Sequence, residues 1–311
     1  MADPNAEAAS TLAAEVGARV ARDWRELVSA DDVDVVCVAT PNGFLAEISI
    51  AALRAGKLVL LEKPMGRNLH EARAIAAAAA QAPGRHLKVG FNHRYHPAVA
   101  RAHQELTAGT IGTPINARAR YGHGGRPGYE HEWRGSLELA GGGELTDQGV
   151  HVADLLHWFL GVPQSVYAVT QTAVWPLGGL EDNGFAILRY PDDCVASFHT
   201  SWTQWKNLFC LEIFGDRGSL VIDGLGRSYG DETLTIALRK MEGGAPLMER
   251  HTFDGPDISW REEWADFVAG ILEGSPYLGA VHDGIVAMET LAALYRSARS
   301  GLPAAYGAEG S

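Results

Sequence analysis

Between residues 1 and 95, apolar residues come in short unbroken runs separated by stretches with helical spacing. A run such as Val33–Ala39 contains almost no polar residue, which is typical of a parallel strand buried on both faces. Strands and helices that alternate at this spacing predict a doubly wound parallel sheet. The predicted strands are 19–21, 33–39, 58–61 and 87–91, and the predicted helices are 5–16, 24–28, 44–55 and 69–82.

The pattern changes after Gly112, where segments of alternating apolar and polar residues follow one another across tight turns. This alternation predicts an antiparallel sheet with one packed face and one open face. The predicted strands are 115–121, 166–174, 183–190, 195–202, 208–214, 219–222 and 234–238; the predicted helices are 97–108, 148–160, 260–272 and 283–300. We therefore predict two domains, 1–95 and 96–311, with a boundary near Arg94–Pro97 and a frayed tail after Gly301.

The composition narrows the class of protein. The chain has 311 residues, 46% of them apolar, and a net charge of −12, which argues against nucleic acid or an anionic membrane as a partner. Three scattered cysteines without C-x-x-C spacing favour a reducing compartment. No apolar run approaches the ~20 residues that a membrane span needs, and the first residues do not resemble a signal peptide, so we expect a cytoplasmic protein.

Two motifs carry candidate chemistry. Lys63 follows an apolar strand within Glu62-Lys63-Pro64, which places an amine at the mouth of the sheet. Asp147 and His151 are four residues apart after a triple glycine, so one helical face would carry both. A histidine suits a general base and a nearby lysine suits a developing alkoxide, which together favour alcohol oxidation. The alternatives are that His151 is a core histidine and that Asp147 only caps the helix.

Several motifs together resemble the glucose–fructose oxidoreductase/inositol dehydrogenase (Gfo/Idh/MocA) family. They occur in family order along nearly the whole chain: Cys37-Val38-Ala39-Thr40-Pro41-Asn42, Glu62-Lys63-Pro64, Val89-Gly90-Phe91-Asn92-His93-Arg94 and the Asp147…His151 helix. The resemblance implies an N-terminal NAD(P)-binding Rossmann domain, here truncated, and a C-terminal α+β domain with a large open sheet. It also implies hydride transfer between nicotinamide and a hydroxyl-bearing carbon of a sugar, cyclitol or nucleotide sugar.

The resemblance also implies roles for individual residues. Lys63 corresponds to the catalytic lysine, His151 to the general base, and Asp147 to a residue that orients the substrate or tunes the histidine. Thr40, Pro41 and Asn42 lie at the carboxyl end of a strand, where open α/β sheets bind ligands. The remaining cofactor candidates are Asp3, Glu62 and Asn92, together with Lys63 itself.

The substrate candidates come from loops and strand ends. Tyr129 and Trp133 lie in a loop rich in hydrogen-bond donors, which also contains His123, His131, Arg126 and Arg134. Arg94 ends the last strand of the first domain, and Lys206 and Asn207 follow a strand of the second. The two loop histidines match no zinc spacing, so no metal is expected. The expected partner is a small sugar or cyclitol.

One expected motif is missing from the sequence. A G-x-G-x-x-G turn between a strand and a helix normally holds the pyrophosphate of a dinucleotide, and this chain contains none. By comparison with a complete unit, about 30–35 residues before Met1 are missing, so we expect weak NAD(P) binding. A wrongly placed start site or a real loss would both explain this. The real loss predicts a catalytically silent sugar-binding or scaffolding subunit.

The sequence leaves other points open. It does not specify the sugar, the direction of reaction or the choice between NAD and NADP, although a carboxylate at Asp3 would repel a 2′-phosphate and so mildly favours NAD. Internal redox in a glycoside-cleaving reaction is a third possibility. We expect a homodimer or homotetramer, because a sheet face carrying Trp175, Trp202 and Trp205 would need to be covered.

Overall fold

Three short strands rich in valine and leucine form a parallel sheet. The structure, a computed structural model, describes residues 1–82, 84 and 86–308. The strands are β1 (Val35–Val38), β2 (Leu58–Glu62) and β3 (Leu87–Gly90), and they pair in that order. The side chains of Val59, Leu61 and Val89 are fully buried, as the continuous apolar runs predicted.

Four helices belong to this part of the chain: α1 (Ala6–Val16), α2 (Trp24–Ser29), α3 (Asn42–Arg54) and α4 (Leu69–Ala80). The side-chain oxygen of Asn5 accepts hydrogen bonds from the backbone N–H groups of Glu7 and Ala8, which makes Asn5 the N-cap of α1. The strand predicted at 19–21 is wrong. The backbone of this segment hydrogen-bonds to Met1 through two bonds of 2.7 Å, and none of the described strands pairs with it.

The second sheet has nine strands. They are β4 (Pro114–Gly122), β5 (Ser165–Gln171), β6 (Asn183–Arg189), β7 (Val195–Ser201), β8 (Leu208–Gly215), β9 (Gly218–Asp223), β10 (Glu232–Leu238), β11 (Leu247–Phe253) and β12 (Ala304–Ala305). Their order is β11-β10-β9-β8-β4-β7-β6-β5-β12, and only β4 and β7 pair in parallel. The prediction of a large, mostly antiparallel sheet is confirmed.

The sequence analysis missed the two edge strands of this sheet. β11 pairs with β10 alone, and its side chains are mostly exposed, so it lacks the alternation that marks a half-buried strand. β12 pairs with β5 in the segment that we expected to fray. Residues 309–311 of that tail lie outside the described residues.

Six further helices complete the fold: α5 (Pro97–Thr107), α6 (Leu137–Ala140), α7 (Glu144–Asp147), α8 (Gly149–Leu160), α9 (Ser259–Glu273) and α10 (Val281–Ser300). α8 packs on β4 and β7, and α10 packs on β5. α10 also packs on α4 and β3, so one C-terminal helix joins both sheets. The domain boundary at residue 95 stays a prediction. The last helix, α10, belongs to the second predicted domain but packs on α4 and β3 of the first.

The opposite face of the second sheet is open, but the three tryptophans do not lie on it together. Trp202 is fully buried, Trp175 is half-buried with its indole N–H donating to the Trp202 carbonyl oxygen at 2.9 Å, and Trp205 is exposed. The open face instead carries Tyr167 and Phe185 with other exposed apolar side chains. Among the described residues, no helix combines the length and apolar character needed to cross a membrane.

Candidate active site

Lys63 lies directly after β2 and reaches the other half of the molecule. Its Nζ donates to the backbone oxygen of Asp147 at 2.7 Å and lies 3.2 Å from the Oδ1 of the same residue. Both side chains are about one-sixth exposed, at 17% and 15%. The amine at the mouth of the first sheet is therefore fixed against the start of α8.

The segment that carries Asp147 and His151 is bent. The helix predicted over 148–160 is confirmed as α8, but Asp147 ends the preceding helix α7, so Asp147 and His151 do not share one helix as the sequence analysis expected. Gln148 is the N-cap residue and makes no side-chain cap hydrogen bond. Asp147 does not cap the helix either, because its Oδ2 accepts from Arg134 Nε at 3.1 Å while its Oδ1 faces Lys63.

Two adjoining clefts meet at Lys63 and His151. The first cleft, about 310 Å³, contains Lys63, Asp147 and His151 together. Its other lining side chains are Tyr121, His123, Arg126, Tyr129, Arg134, Gln148 and Tyr229. The second cleft, about 270 Å³, shares Lys63, His151, Tyr121 and Tyr229 and extends past Glu62, Asn92, His93 and Trp260.

Burial and charge set the protonation of the three central residues. Burial alone would raise the pKa of Asp147, but the charges of Lys63 and Arg134 outweigh it and lower that pKa below its ordinary value. Burial, followed by the charge of Lys63, holds the pKa of His151 well below its ordinary value. Near pH 7 the site thus presents Asp147 as a carboxylate and His151 as a neutral imidazole, beside Lys63 and Arg134.

The structure places the predicted cofactor residues in different surroundings. Thr40 follows β1, and its hydroxyl is buried with no hydrogen-bond partner, a free polar group where such sheets bind ligands. Glu62 and Asn92 line the second cleft. Asn42 is buried, and its amide donates to the Ala140 carbonyl oxygen at 2.8 Å. The remaining two are Pro41, which precedes α3, and Asp3, which is exposed and accepts a hydrogen bond from the Asn5 backbone.

The predicted substrate residues are only partly brought together. Tyr129 lines the first cleft, whereas Trp133 lines neither cleft and has the Arg134 guanidinium 4.4 Å from its ring centroid. Lys206 and Asn207 are corrected, because both are exposed outside the two clefts. The Asn207 amide donates to the Ser228 carbonyl oxygen at 2.8 Å and so fixes the loop that precedes Tyr229.

The prediction for Arg94 is also corrected. Its guanidinium is 2% exposed and makes two hydrogen bonds, of 2.9 and 2.6 Å, to Asp154 of α8. A further bond of 3.1 Å reaches Asp283 of α10. None of these groups lines either cleft, and the contacts of Arg94 join the segment after β3 to α8 and α10.

Sequence reasoning missed several residues that the fold brings into the clefts. Tyr121, Gln148 and Tyr229 come from separate elements, and nothing local marks them. Arg134 was visible only as one donor of the 122–135 loop. His93 lies between two residues that we did single out, and its ring stacks on His151 with centroids 3.8 Å apart. Across the described part of the chain, no group of three or more His, Cys, Asp or Glu side chains could hold a metal ion.

Comparison with known proteins identifies the family. Residues 1–91 match the model of an oxidoreductase family with an NAD-binding Rossmann fold, and residues 99–221 match the GFO/IDH/MocA C-terminal domain. A 1,5-anhydro-D-fructose reductase from Ensifer adhaerens is 34% identical over 253 residues, which are 79% of this chain and 74% of that protein. The chain belongs to the GFO/IDH/MocA family of oxidoreductases.

Other members of the GFO/IDH/MocA family give the same result. A levoglucosan dehydrogenase from Pseudarthrobacter phenanthrenivorans is 32% identical over 70% of this chain and 64% of its own length. A structure of levoglucosan dehydrogenase in complex with NADH and levoglucosan superimposes with a TM-score of 0.88 at 26% identity, covering 99% of this chain and 89% of that one. The predicted family, fold class and oxidoreductase class are thereby confirmed.

Proposed function

We propose that this chain transfers a hydride between a nicotinamide dinucleotide and a hydroxyl-bearing carbon of a sugar or cyclitol. The observation that carries the proposal is the meeting of Lys63, Asp147 and His151 in one polar cleft. These side chains come from both halves of the molecule, and together they supply a neutral base and a cation for one hydroxyl group.

His151 is the general base in this proposal. Its lowered pKa leaves the imidazole neutral near pH 7, ready to accept the proton of a substrate hydroxyl. Its Nδ1 is buried and hydrogen-bonds to none of the residues that the structure describes, so we take Nε2 as the ring nitrogen that faces the cleft. Lys63 lies beside it and stabilises the negative charge that develops on the oxygen as the proton leaves.

Asp147 acts through Lys63 in this proposal. Its carboxylate oxygens are directed at Lys63 and Arg134, and none is hydrogen-bonded to His151. We therefore favour a positioning role, in which the carboxylate holds two cations at the edge of the cleft. Of the two roles considered from sequence, tuning of the histidine receives no support from a direct contact.

The residues present fit the nicotinamide end of a dinucleotide at the carboxyl ends of the first sheet, whereas the sequence contains no G-x-G-x-x-G turn for its pyrophosphate. When bound, a nicotinamide dinucleotide would accept or supply the hydride. Thr40, with its unpartnered hydroxyl, and Glu62 and Asn92 in the second cleft would hold it. We favour NAD, because levoglucosan dehydrogenase binds NADH and Asp3 would repel a 2′-phosphate, although a relative from Haloferax volcanii uses NADP.

The size of the first cleft favours a single ring. At about 310 Å³ it lies at the lower end of the range of about 300–1,000 Å³ usual for small-molecule sites. Within the sugars considered from sequence, we therefore favour a monosaccharide, an anhydrosugar or a cyclitol over a nucleotide sugar. The relatives named above, an anhydrofructose reductase and a levoglucosan dehydrogenase, act on compounds of this size.

The experiment is to incubate the protein with NAD or NADP and a panel of monosaccharides, anhydrosugars and cyclitols, and to follow absorbance of the reduced cofactor. We expect turnover with at least one compound, and a loss of about 10²–10⁴ in kcat for His151→Asn. Because the base acts when deprotonated, kcat should fall only when the pH drops well below the ordinary histidine pKa. The control is His131→Asn, an exposed histidine outside both clefts.

The outcome that contradicts the proposal is absence of turnover together with measurable binding of a sugar. That result would favour the silent sugar-binding subunit. Turnover that survives His151→Asn unchanged would retain the enzyme class and reject the base.

We further propose that the open face of the second sheet joins copies of the chain. Its alternate residues are apolar and exposed by 37–50%, namely Tyr167, Val169, Phe185, Ile187 and Val195. A monomer rarely exposes a contiguous apolar patch of this kind. Light scattering coupled to gel filtration should give a dimer or tetramer, and Phe185→Lys with Ile187→Lys should shift it toward the monomer.

A further inference from the structure

The imidazole of His93 lies flat against that of His151. The ring centroids are 3.8 Å apart and the planes differ by 19°, which is a stacked arrangement. His93 comes from the segment after β3, whereas His151 comes from α8, so the stack crosses between the two halves of the fold. Each residue is only 6% exposed.

His93 is itself held in place. Its Nδ1 lies 3.0 Å from the side-chain oxygen of Asn92, and the amide of Asn92 donates to the Ser259 hydroxyl at 3.0 Å. Since the Asn92 oxygen accepts, His93 must donate from Nδ1. Its Nε2 is buried without a partner, so a second proton there would have no acceptor. The imidazole of His93 is therefore a neutral ring held in a fixed orientation.

His151 lacks the hydrogen bond that usually orients a catalytic histidine. A general base is commonly fixed by a carboxylate or carbonyl that binds its second ring nitrogen. Here Nδ1 of His151 is buried, and none of the described residues binds it. The remaining close ring is Tyr121, whose edge-on contact has a centroid distance of 6.2 Å. The face of His93 is thus the surface that sets the plane of the base.

We propose that His93 is a positioning residue that orients His151 by ring stacking and excludes water from its buried side. The inference rests on the proposed function in one respect, since it takes His151 as the base. His93 touches neither the reacting hydroxyl nor its proton; it acts through the ring that does.

Several titratable groups surround His151 and share control of its charge. Lys63 at the end of β2 and His96 both disfavour a positive imidazole. The groups that face His151 from the elements packed around it are Lys63, His93, His96, Tyr121, Asp147 and Tyr229. A variant at position 93 leaves all the others in place, so a change in the titration of His151 reports on the stacked ring.

The experiment compares His93→Phe, which keeps a flat ring, with His93→Ala, which removes it. The matched control is His103→Ala, because His103 stacks on Trp158 with the same centroid distance of 3.8 Å but lies outside both clefts. Two quantities are measured in each variant: kcat with its pH profile, and the pKa of His151 followed by NMR titration in the cofactor-free protein.

We expect His93→Ala to lower kcat at least about tenfold with little change in KM, a partial loss of what a general base contributes. Water should then reach the buried side of His151, so its pKa should rise toward the ordinary value and the acid limb of kcat should move to higher pH. His93→Phe should keep kcat within about threefold and leave that limb in place, and His103→Ala should change neither quantity. If His93→Ala yields no folded protein, His93→Leu, which fills the space without a flat ring, takes its place and should also lower kcat at least about tenfold.

The proposal is overturned if His93→Ala retains wild-type kcat and an unchanged His151 titration. It is equally overturned if His93→Phe loses as much activity as His93→Ala, since the flat ring would then be irrelevant. Failure of the proposed function looks different. In that case the wild-type protein shows no turnover, and the NMR titration of His151 alone decides the proposal. A titration that changes in His93→Ala supports the stacking role, and an unchanged titration overturns it.

Discussion

Two clusters of charged side chains differ in their balance of charge and in the burial of their members. In the open cluster, Lys63 and Arg134 face the single carboxylate of Asp147 at the edge of the first cleft. In the sealed cluster, named for Arg94 and Asp154, which are 2% and 1% exposed, the single guanidinium of Arg94 faces Asp154 and also Asp283, which is 19% exposed. One cluster has a cation in excess and the other a carboxylate in excess.

The comparison indicates that the burial of a charged cluster, and its ratio of cations to carboxylates, determine whether it can act on a ligand or only stabilise the fold. In the open cluster, two cations lower the pKa of Asp147 despite its burial, and under the proposed function one of them would meet the negative charge that develops on the substrate oxygen. In the sealed cluster, burial raises the pKa of Asp154 although Arg94 opposes it, whereas the pKa of the less buried Asp283 is lowered. A charge that faces a cleft can act on a ligand, whereas a charge enclosed on all sides can only join elements of the fold.

The first prediction concerns the open cluster. Replacement of Lys63 by methionine should lower kcat by about 10²–10³, the usual effect of removing a donor to a developing oxyanion. The free energy of unfolding should change by about 1 kcal/mol or less, because Asp147 keeps Arg134. Steady-state kinetics and urea unfolding measure the two effects. Lys57→Met is the control, since Lys57 donates to a carbonyl oxygen, that of Ala30, away from the clefts.

The sealed cluster should respond in the opposite way. Arg94→Met leaves Asp154, whose side chain is 1% exposed, without its cation, so we expect a loss of about 3–5 kcal/mol in the free energy of unfolding. Denaturant unfolding measures it. The double variant Arg94→Met/Asp154→Leu should recover much of that loss, because it removes the buried charge as well. If the double variant is no more stable than the single one, the cluster is not limited by an unpaired carboxylate.

A third prediction uses the pH dependence of the sealed cluster. Burial would raise the pKa of Asp283, but the hydrogen bond from His157 and the charge of Arg94 lower it to about 2. A depressed carboxyl pKa stabilises the fold above the unfolded value of about 3.9 and loses that contribution as the pH falls toward 2. Asp283→Asn should therefore cost about 2 kcal/mol at pH 7. The difference from wild type should shrink below about pH 4, and a difference independent of pH would contradict this account.

The smallest effect is expected at the protein surface. Arg19 and Asp32 form an ion pair of 2.5 Å, but their side chains are 69% and 65% exposed. Because solvent screens such a pair, Arg19→Ala should change the free energy of unfolding by about 0.5 kcal/mol or less. If Arg19→Ala lowered the free energy of unfolding as much as Arg94→Met does, burial would not be the reason why the Arg94 cluster contributes more to stability.

Much of the fold was accessible from local pattern. The strands β1, β2 and β3 are continuous apolar runs, and the strands of the second sheet alternate, so each pattern reflects the environment of a single element. The sequence analysis missed β11 because an exposed edge strand has no buried face, so its apolar and polar residues need not alternate. Lys63 and His151 could be proposed as site residues from sequence because their motifs are local and resemble those of a known family.

The sequence by itself determined which segments would be buried, the order of strands and helices, and the family motifs, since these depend on neighbouring residues along the chain. Only the tertiary structure decided which charged residue faces the cleft. From the sequence, Arg94 and Arg134 are equally good candidates for a residue that lines the cleft. In the folded chain, Arg94 is buried against Asp154 of α8 and Asp283 of α10, whereas Arg134 lies beside Asp147. The stack of His93 on His151 likewise exists because the segment after β3 meets α8 in space, a long-range contact that no local pattern encodes.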